Sequence, residues 1–201
     1  MTQAAYEQAV ILIDQANSED PNVETAEGKE FPKELLYGQR MSDMLGRYKS
    51  DADHVMKLAV RGQHIQRWQS PRSNYPMNRQ GYHKWRRDLY VFHANKVAAI
   101  MTKVGFKEDA ALRAKLAVAK VAMKSNSDTQ LLEDVAGLVF IEHYMMKFAE
   151  KHPEYSEEKW ITIIQKTWRK MSAQAHAFVL AGNVTLPGVL TPLIFKAVHP
   201  K

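Results

Sequence analysis

Seven stretches of this chain carry apolar residues at helical spacing, and each is followed by residues that end helices. The first, Ala4 to Ala16 (AAYEQAVILIDQA), runs into NSEDPN, a cluster of turn formers. The acidic stretch to Lys33 reads as a loop, and Pro32 is placed to open a second helix, Lys33 to Tyr48. Ser50 or Asp51 can cap a third, through DADHVMKLAVRGQHIQRW to about Trp68. Pro71 and Pro76 hold SPRSNYPMNRQG as an ordered loop. A fourth helix, Tyr82 to Val104, ends with Gly105 as its C-cap, and a fifth spans Glu108 to Lys124. The sixth, Thr129 to Lys151, is capped by Ser127 or Asp128 and stopped by Pro153; the seventh is Ser156 to Leu180. No convincing strand pair accompanies them. The expectation is an all-α fold, one helical domain of about seven helices over residues 1–201. Its tail, residues 182–201, carries Pro187, Gly188, Pro192 and Pro200 and ends in one short turn or helix. With 45% apolar residues the chain can bury a single core.

No apolar run reaches the length of a membrane span, and the first residues lack a signal-peptide cleavage site, so a cytoplasmic protein with no membrane partner is expected. The chain has no cysteine, which removes disulfides, thiolate metal sites and thiol nucleophiles. Any metal must sit on His, Asp or Glu.

The formal charge of +6 is concentrated in one segment. Between Arg61 and His93 lie Arg61, Arg67, Arg72, Arg79, Lys84, Arg86 and Arg87, against Asp88 as the sole acid. A solvated face is ordinarily lysine-rich and mixed with acids, whereas the guanidinium fork suits phosphate or carboxylate. An anionic partner follows, a nucleotide or small phosphoester. Arg67, Trp68, Arg72, Tyr75, Arg79 and Arg86 are the candidate substrate-binding residues, with the two prolines around SPRSNYP limiting the disorder of the loop that presents Arg72 and Tyr75. The alternative is a rigid connector with Tyr75 packed on Trp68.

Arg61, His64 and Trp68 share a face if the third helix is continuous, as Arg86, Leu89 or Tyr90 and His93 do on the fourth. On the sixth, Gln130, Glu133, Asp134 and Gly137 form a polar stripe in the apolar QLLEDVAGLVFIE. Buried carboxylates need a cation or a metal. If these helices pack together, His64, His93 and Asp134 supply ligands for Mn, Zn or Fe, with Glu133 or His64 moving protons. Salt bridges from Glu133 and Asp134 to the arginines are the structural alternative. Asp14, Asn17 and Asp20, in IDQANSEDP, either add ligands, hold an arginine of the central segment, or close the first helix and its turn.

IDQANSEDP, PKELLYGQRMSDML, LAVRGQHIQRWQSPRSNYP, NRQGYHKWRRDL with FHA, QLLEDVAGLVFIE and KTWRKMS resemble the family grouped as domain of unknown function 4202, nearly throughout the chain to about Ser172. That resemblance implies a family without implying a reaction. A weaker similarity is to HD-superfamily metal phosphohydrolases, which are helical and place a His-Asp doublet at the end of an apolar helix. It implies an HD-domain-like arrangement with metal-binding roles on His64, His93 and Asp134. Ile65 stands where the doublet has Asp, and Arg40 and Asp43 stand where a preceding histidine belongs. The chain then either binds metal with an altered set or keeps the fold without the chemistry. Two functions result: a metal-dependent phosphohydrolase-like protein, or a non-catalytic RNA-binding protein that uses segment 61–93, with Trp68, Tyr75, Tyr82 or Trp85 stacking on bases.

Overall fold

The computed structural model describes residues 2–123 and 125–198. Lys124, the expected end of the fifth helix, and Pro200 in the tail lie outside the described residues. The chain is predominantly α-helical and divides into two compact units, Met1–Leu132 and Glu133–Lys201, with the division inside one helix.

In the first unit, α1 (Gln3–Ser18) is capped by Thr2, whose hydroxyl accepts from the Ala5 N–H. An antiparallel hairpin follows, β1 (Val23–Ala26) and β2 (Lys29–Pro32), where a loop is expected. Glu27 at φ 51 and Gly28 at φ 74 join the strands, the two positive φ values of a type I′ turn. Glu-Gly stands there in place of the common Asn-Gly or Asp-Gly, which is why the turn is hard to read from sequence. The second helix, α2 (Lys33–Tyr48), has the expected bounds.

The third helix is shorter than its pattern suggests. Asp53 caps α3 (His54–Arg61), which stops at Gly62. The chain then makes a tight turn through Ile65, takes Gln66 into a left-handed conformation at φ 51, and forms a 3-10 turn at Arg67–Gln69. Arg61, His64 and Trp68 therefore do not share one helical face. A second 3-10 turn at Arg72–Asn74 lies in the ordered Pro71–Pro76 loop. Asn78 caps α4 (Arg79–Lys103), and α5 (Glu108–Val118) ends before Lys120 and Ala122, both at positive φ. Contacts among α1, α2, α3, α4 and α5 bury Ile13, Met41, Met44, Leu45, Leu58, Ile65, Leu89 and Met101.

The remaining helices begin with α6 (Ser127–Val139), which runs into a π-helical turn, Phe140–Tyr144, and then α7 (Met145–Glu150). The expected seventh helix is two, α8 (Glu157–Trp168) and α9 (Ala173–Leu180). Ser172 separates them because its backbone N–H and hydroxyl both donate to Asp134, at 2.7 and 2.6 Å, while its oxygen accepts from the Ala175 N–H at 3.2 Å. The tail ends in α10 (Thr191–Val198), which packs on α8 around Trp160, Ile164, Ile194 and Ala197. Among the described residues, no helix is long and apolar enough to cross a membrane.

Candidate functional site

The turn after α3 is pinned from α1. Asn17, 1% exposed, accepts the Gln66 N–H on Oδ1 at 2.9 Å and donates from Nδ2 to the Glu34 carbonyl at 3.3 Å. Asp20 accepts the Glu34 N–H at 3.0 Å and the Asn22 N–H at 2.9 Å. Asp14 holds Arg61 through two bonds of 2.7 and 2.6 Å. IDQANSEDP thus serves as a clamp: Asp14 grips a central arginine, as one of the sequence alternatives has it, and Asn17 and Asp20 fix the backbone at Glu34, with Asn17 also holding Gln66.

That clamp presents His64 and Arg67 to α4. Arg67 Nη1 donates to His64 Nε2 at 3.0 Å. Arginine offers only donors, so His64 Nε2 is the acceptor and the ring hydrogen lies on Nδ1, 3.4 Å from Glu34 Oε2. Desolvation, then the Arg67 and Arg86 cations, hold the His64 pKa well below its ordinary value, so the contact with Glu34 joins a neutral imidazole to a carboxyl group. Burial raises the Glu34 pKa, against the pull of Arg67 and Lys33. Tyr37 stacks on His64 with centroids 4.1 Å apart and donates its hydroxyl to Gln63 Oε1 at 3.4 Å.

Opposite, α4 aligns Arg86, Leu89, Tyr90 and His93 on one face, as the helical spacing requires. His93 is 2% exposed and packs 5.8 Å from the His64 ring. Its Nδ1 donates to the Ile65 carbonyl at 2.9 Å, a bond that fixes the tautomer because a carbonyl can only accept. Burial, then the neighbouring His64, lower the His93 pKa to about 3. Its Nε2 is therefore a bare lone pair, and it is buried without a hydrogen-bond partner. Arg86 donates to the Tyr90 hydroxyl at 2.8 Å and lies over that ring, as does the Lys120 ammonium at 5.3 Å. The Arg67 guanidinium sits over the Trp85 ring at 5.2 Å, and the indole N–H donates to the Ser70 carbonyl at 2.8 Å.

These side chains enclose one cavity, lined by Gln63, His64, Arg67, Arg86, Tyr90, His93 and Lys120 over Leu89 and Val118. It has room for about one water-sized group, about 10 Å³, and is partly open to solvent. Two arginines and a lysine around a buried acceptor nitrogen make it a cationic site. His64, His93, Arg67 and Arg86 are the expected residues that it brings together. Glu34, Tyr37, Gln63 and Lys120 have no sequence signal: Glu34 reads as an ordinary acid of a first helical turn, and Lys120 as a position inside a longer fifth helix.

The other expected residues have other work. Trp68 is half-buried in the 3-10 turn and does not line the cavity. Arg72 donates to the carbonyls of Tyr75, Pro76 and Asn78 at 3.0, 2.7 and 3.2 Å, so it staples the proline loop shut. Tyr75 donates its hydroxyl to Asp88 at 3.1 Å, and Arg79 donates to His83 at 3.4 Å. Asp134, 3% exposed, is engaged by Ser172, and Glu133 lies 3.9 Å from the Lys170 ammonium.

Among the described residues, no three His, Asp or Glu side chains form a group that could hold a metal ion. The pocket chemistry agrees, since His64 Nε2 already accepts from Arg67 and the bare Nε2 of His93 shares its cavity with Arg67, Arg86 and Lys120. Of the expected ligands, His64 and His93 form no such group among the described residues, and Asp134 is engaged by Ser172.

The chain is thus a predominantly α-helical protein whose first unit holds a small cationic cavity. The chain belongs to the family described as Domain of unknown function (DUF4202), whose model matches residues 7–194. That match gives no support to the similarity with HD-superfamily phosphohydrolases. No curated protein and no solved structure matches the chain.

Proposed function

We propose that the protein binds a nucleotide or small phosphoester by its phosphate group, in the cavity between the His64–Arg67 turn and α4. The observation that carries this reading is the convergence of Arg67, Arg86 and Lys120 on one cavity that also holds a buried, unpartnered imidazole nitrogen. Arginine forks and an ammonium complement the oxygens of a phosphate, and charge-assisted bonds of this kind are the stronger ones. Arg67 spends one of its five N–H donors on His64 and stays charged at neutral pH.

Hydrolysis of the bound ester is the further step. A general base works best with a pKa near the operating pH, and His93, at about 3, is a hydrogen-bond acceptor more than a proton acceptor. Binding is therefore the primary function proposed. Isothermal titration with inorganic phosphate tests it: the wild type binds, and Arg86→Gln weakens binding about ten-fold or more. Absence of heat and of any thermal stabilisation by phosphate would remove the reading. Turnover of p-nitrophenyl phosphate by the wild type, lost in His93→Gln, would extend it to a phosphohydrolase.

A second surface favours the RNA reading. Around the start of α4, Pro76, Asn78, Gln80, Gly81, His83, Lys84 and Arg87 line a broad open depression of about 580 Å³, beside the exposed Tyr82. Single-stranded RNA would place phosphates on Lys84 and Arg87 and a base on Tyr82. Affinity that falls steeply with salt and drops in Arg87→Gln supports it, and no binding at low salt rejects it.

A further inference from the structure

We propose that His93 makes the cavity select an oxyanion that carries its own proton, so that its ligand is a phosphate monoester or inorganic phosphate rather than sulfate or a phosphodiester. This rests on the phosphate-binding reading above and narrows it to a ligand class.

The selection follows from a buried, unpartnered acceptor nitrogen placed among three cationic donors. The Ile65 carbonyl takes the Nδ1 hydrogen of His93, and the ring presents a lone pair at Nε2. The low pKa of His93 keeps that nitrogen unprotonated near neutral pH. Arg67, Arg86 and Lys120 around it can only donate, while Tyr90 and Gln63 can do either. An entering oxygen thus meets cations on several sides and a lone pair on one. The cavity has room for about one water-sized group, about 10 Å³, so a single ligand oxygen can enter among these groups.

Sulfate and a phosphodiester bring only acceptor oxygens at neutral pH, and either one sets oxygen lone pairs against the lone pair of His93. Their binding requires a proton on a ring whose burial disfavours the charge. A phosphate monoester loses its second proton near pH 6, and so retains a P–O–H form close to neutrality. That hydroxyl donates to His93 Nε2, and the remaining oxygens accept from the arginines and the lysine. The proton that the site needs arrives with the ligand.

The test is isothermal titration of the full chain at pH 7 with inorganic phosphate, sulfate and dimethyl phosphate, each alone and in competition. Phosphate should bind about ten-fold or more tightly than the other two, the effect of one hydrogen bond to a charged group. In His93→Gln the side-chain amide can turn to donate, and the preference for phosphate over sulfate should collapse towards unity while binding persists. Equal affinity for phosphate and sulfate in the wild type overturns the selection and leaves phosphate binding standing. Failure of all three anions to bind overturns both. A preference that survives in His93→Gln removes His93 from the account; should that variant not fold, the wild-type comparison decides alone.

Discussion

Replacing Asn17 by alanine tests how the pocket is built. Asn17 lies on α1, far in sequence from every residue of the cavity, yet its side chain holds both the Gln66 N–H and the Glu34 carbonyl. Truncation leaves those two backbone groups without their partner in a region where Asn17 itself is 1% exposed. An unsatisfied buried polar group costs about 1–3 kcal/mol. Glu34 is buried and Gln66 half-buried, so the second group regains some hydration, and the sum is about 2–4 kcal/mol. For a protein whose whole stability is of the order of 5–15 kcal/mol, that is a large fraction. Urea denaturation of Asn17→Ala should show a midpoint lower by about 1–2 M with an unchanged slope. Phosphate affinity should fall in parallel, because the left-handed conformation at Gln66 sets the position of His64 and Arg67. A loss below about 0.5 kcal/mol, or full stability loss with no change in phosphate affinity, would refute the clamp.

Three further outcomes are expected. Because His64 and His93 are held neutral in the fold, with His93 lowered to about 3 from 6.5, the unfolded chain binds more protons than the folded one below pH 6.5; stability is full above that pH and is lost as pH falls towards 3. Glu34 acts with the opposite sign, since its raised pKa weakens folding as pH rises above 4.5, but it is one group against two; the urea midpoint should therefore be lower at pH 5 than at pH 7, and an unchanged midpoint would contradict the assignment. Asp134→Ala removes the acceptor of both the Ser172 N–H and its hydroxyl, and should cost about 2–4 kcal/mol in chemical denaturation while leaving metal content, read by inductively coupled plasma mass spectrometry, unchanged. Gly81→Ala places a Cβ 2.0 Å from the Pro76 carbonyl oxygen, a backbone atom that must move, and should lower stability by about 2 kcal/mol and open the proline loop to proteolysis.

Much of this architecture can be read from local signals, and the exceptions share a cause. The bounds of α2 and the stop of α4 at Gly105 follow from Pro32 and the glycine, which act on their own backbone. The third helix is over-extended because the apolar spacing of LAVRGQHIQRW continues past Gly62, whereas the chain is turned by an asparagine more than forty residues away. The break at Ser172 likewise depends on Asp134, a tertiary partner that periodicity does not report. For the site, the arginine-rich segment and the spacing of α4 identify Arg67, Arg86, His64 and His93. In the sequence, Glu133 and Asp134 stand out in the apolar QLLEDVAGLVFIE because a buried carboxylate needs a cationic partner. The carboxyl group beside His64 comes instead from Glu34, and the third cation from Lys120, each placed by packing alone.

The most direct test of the central claim is the imidazole ¹⁵N spectrum of histidine-labelled protein at pH 7, titrated with inorganic phosphate, with the His93 signals assigned by their loss in His93→Gln. In the free protein Nδ1 should carry the hydrogen and Nε2 should be unprotonated, with Nε2 moving in a saturable way towards the hydrogen-bonded range as phosphate enters. An Nε2 that is already protonated in the free protein, or that stays unmoved while phosphate binds, would contradict it.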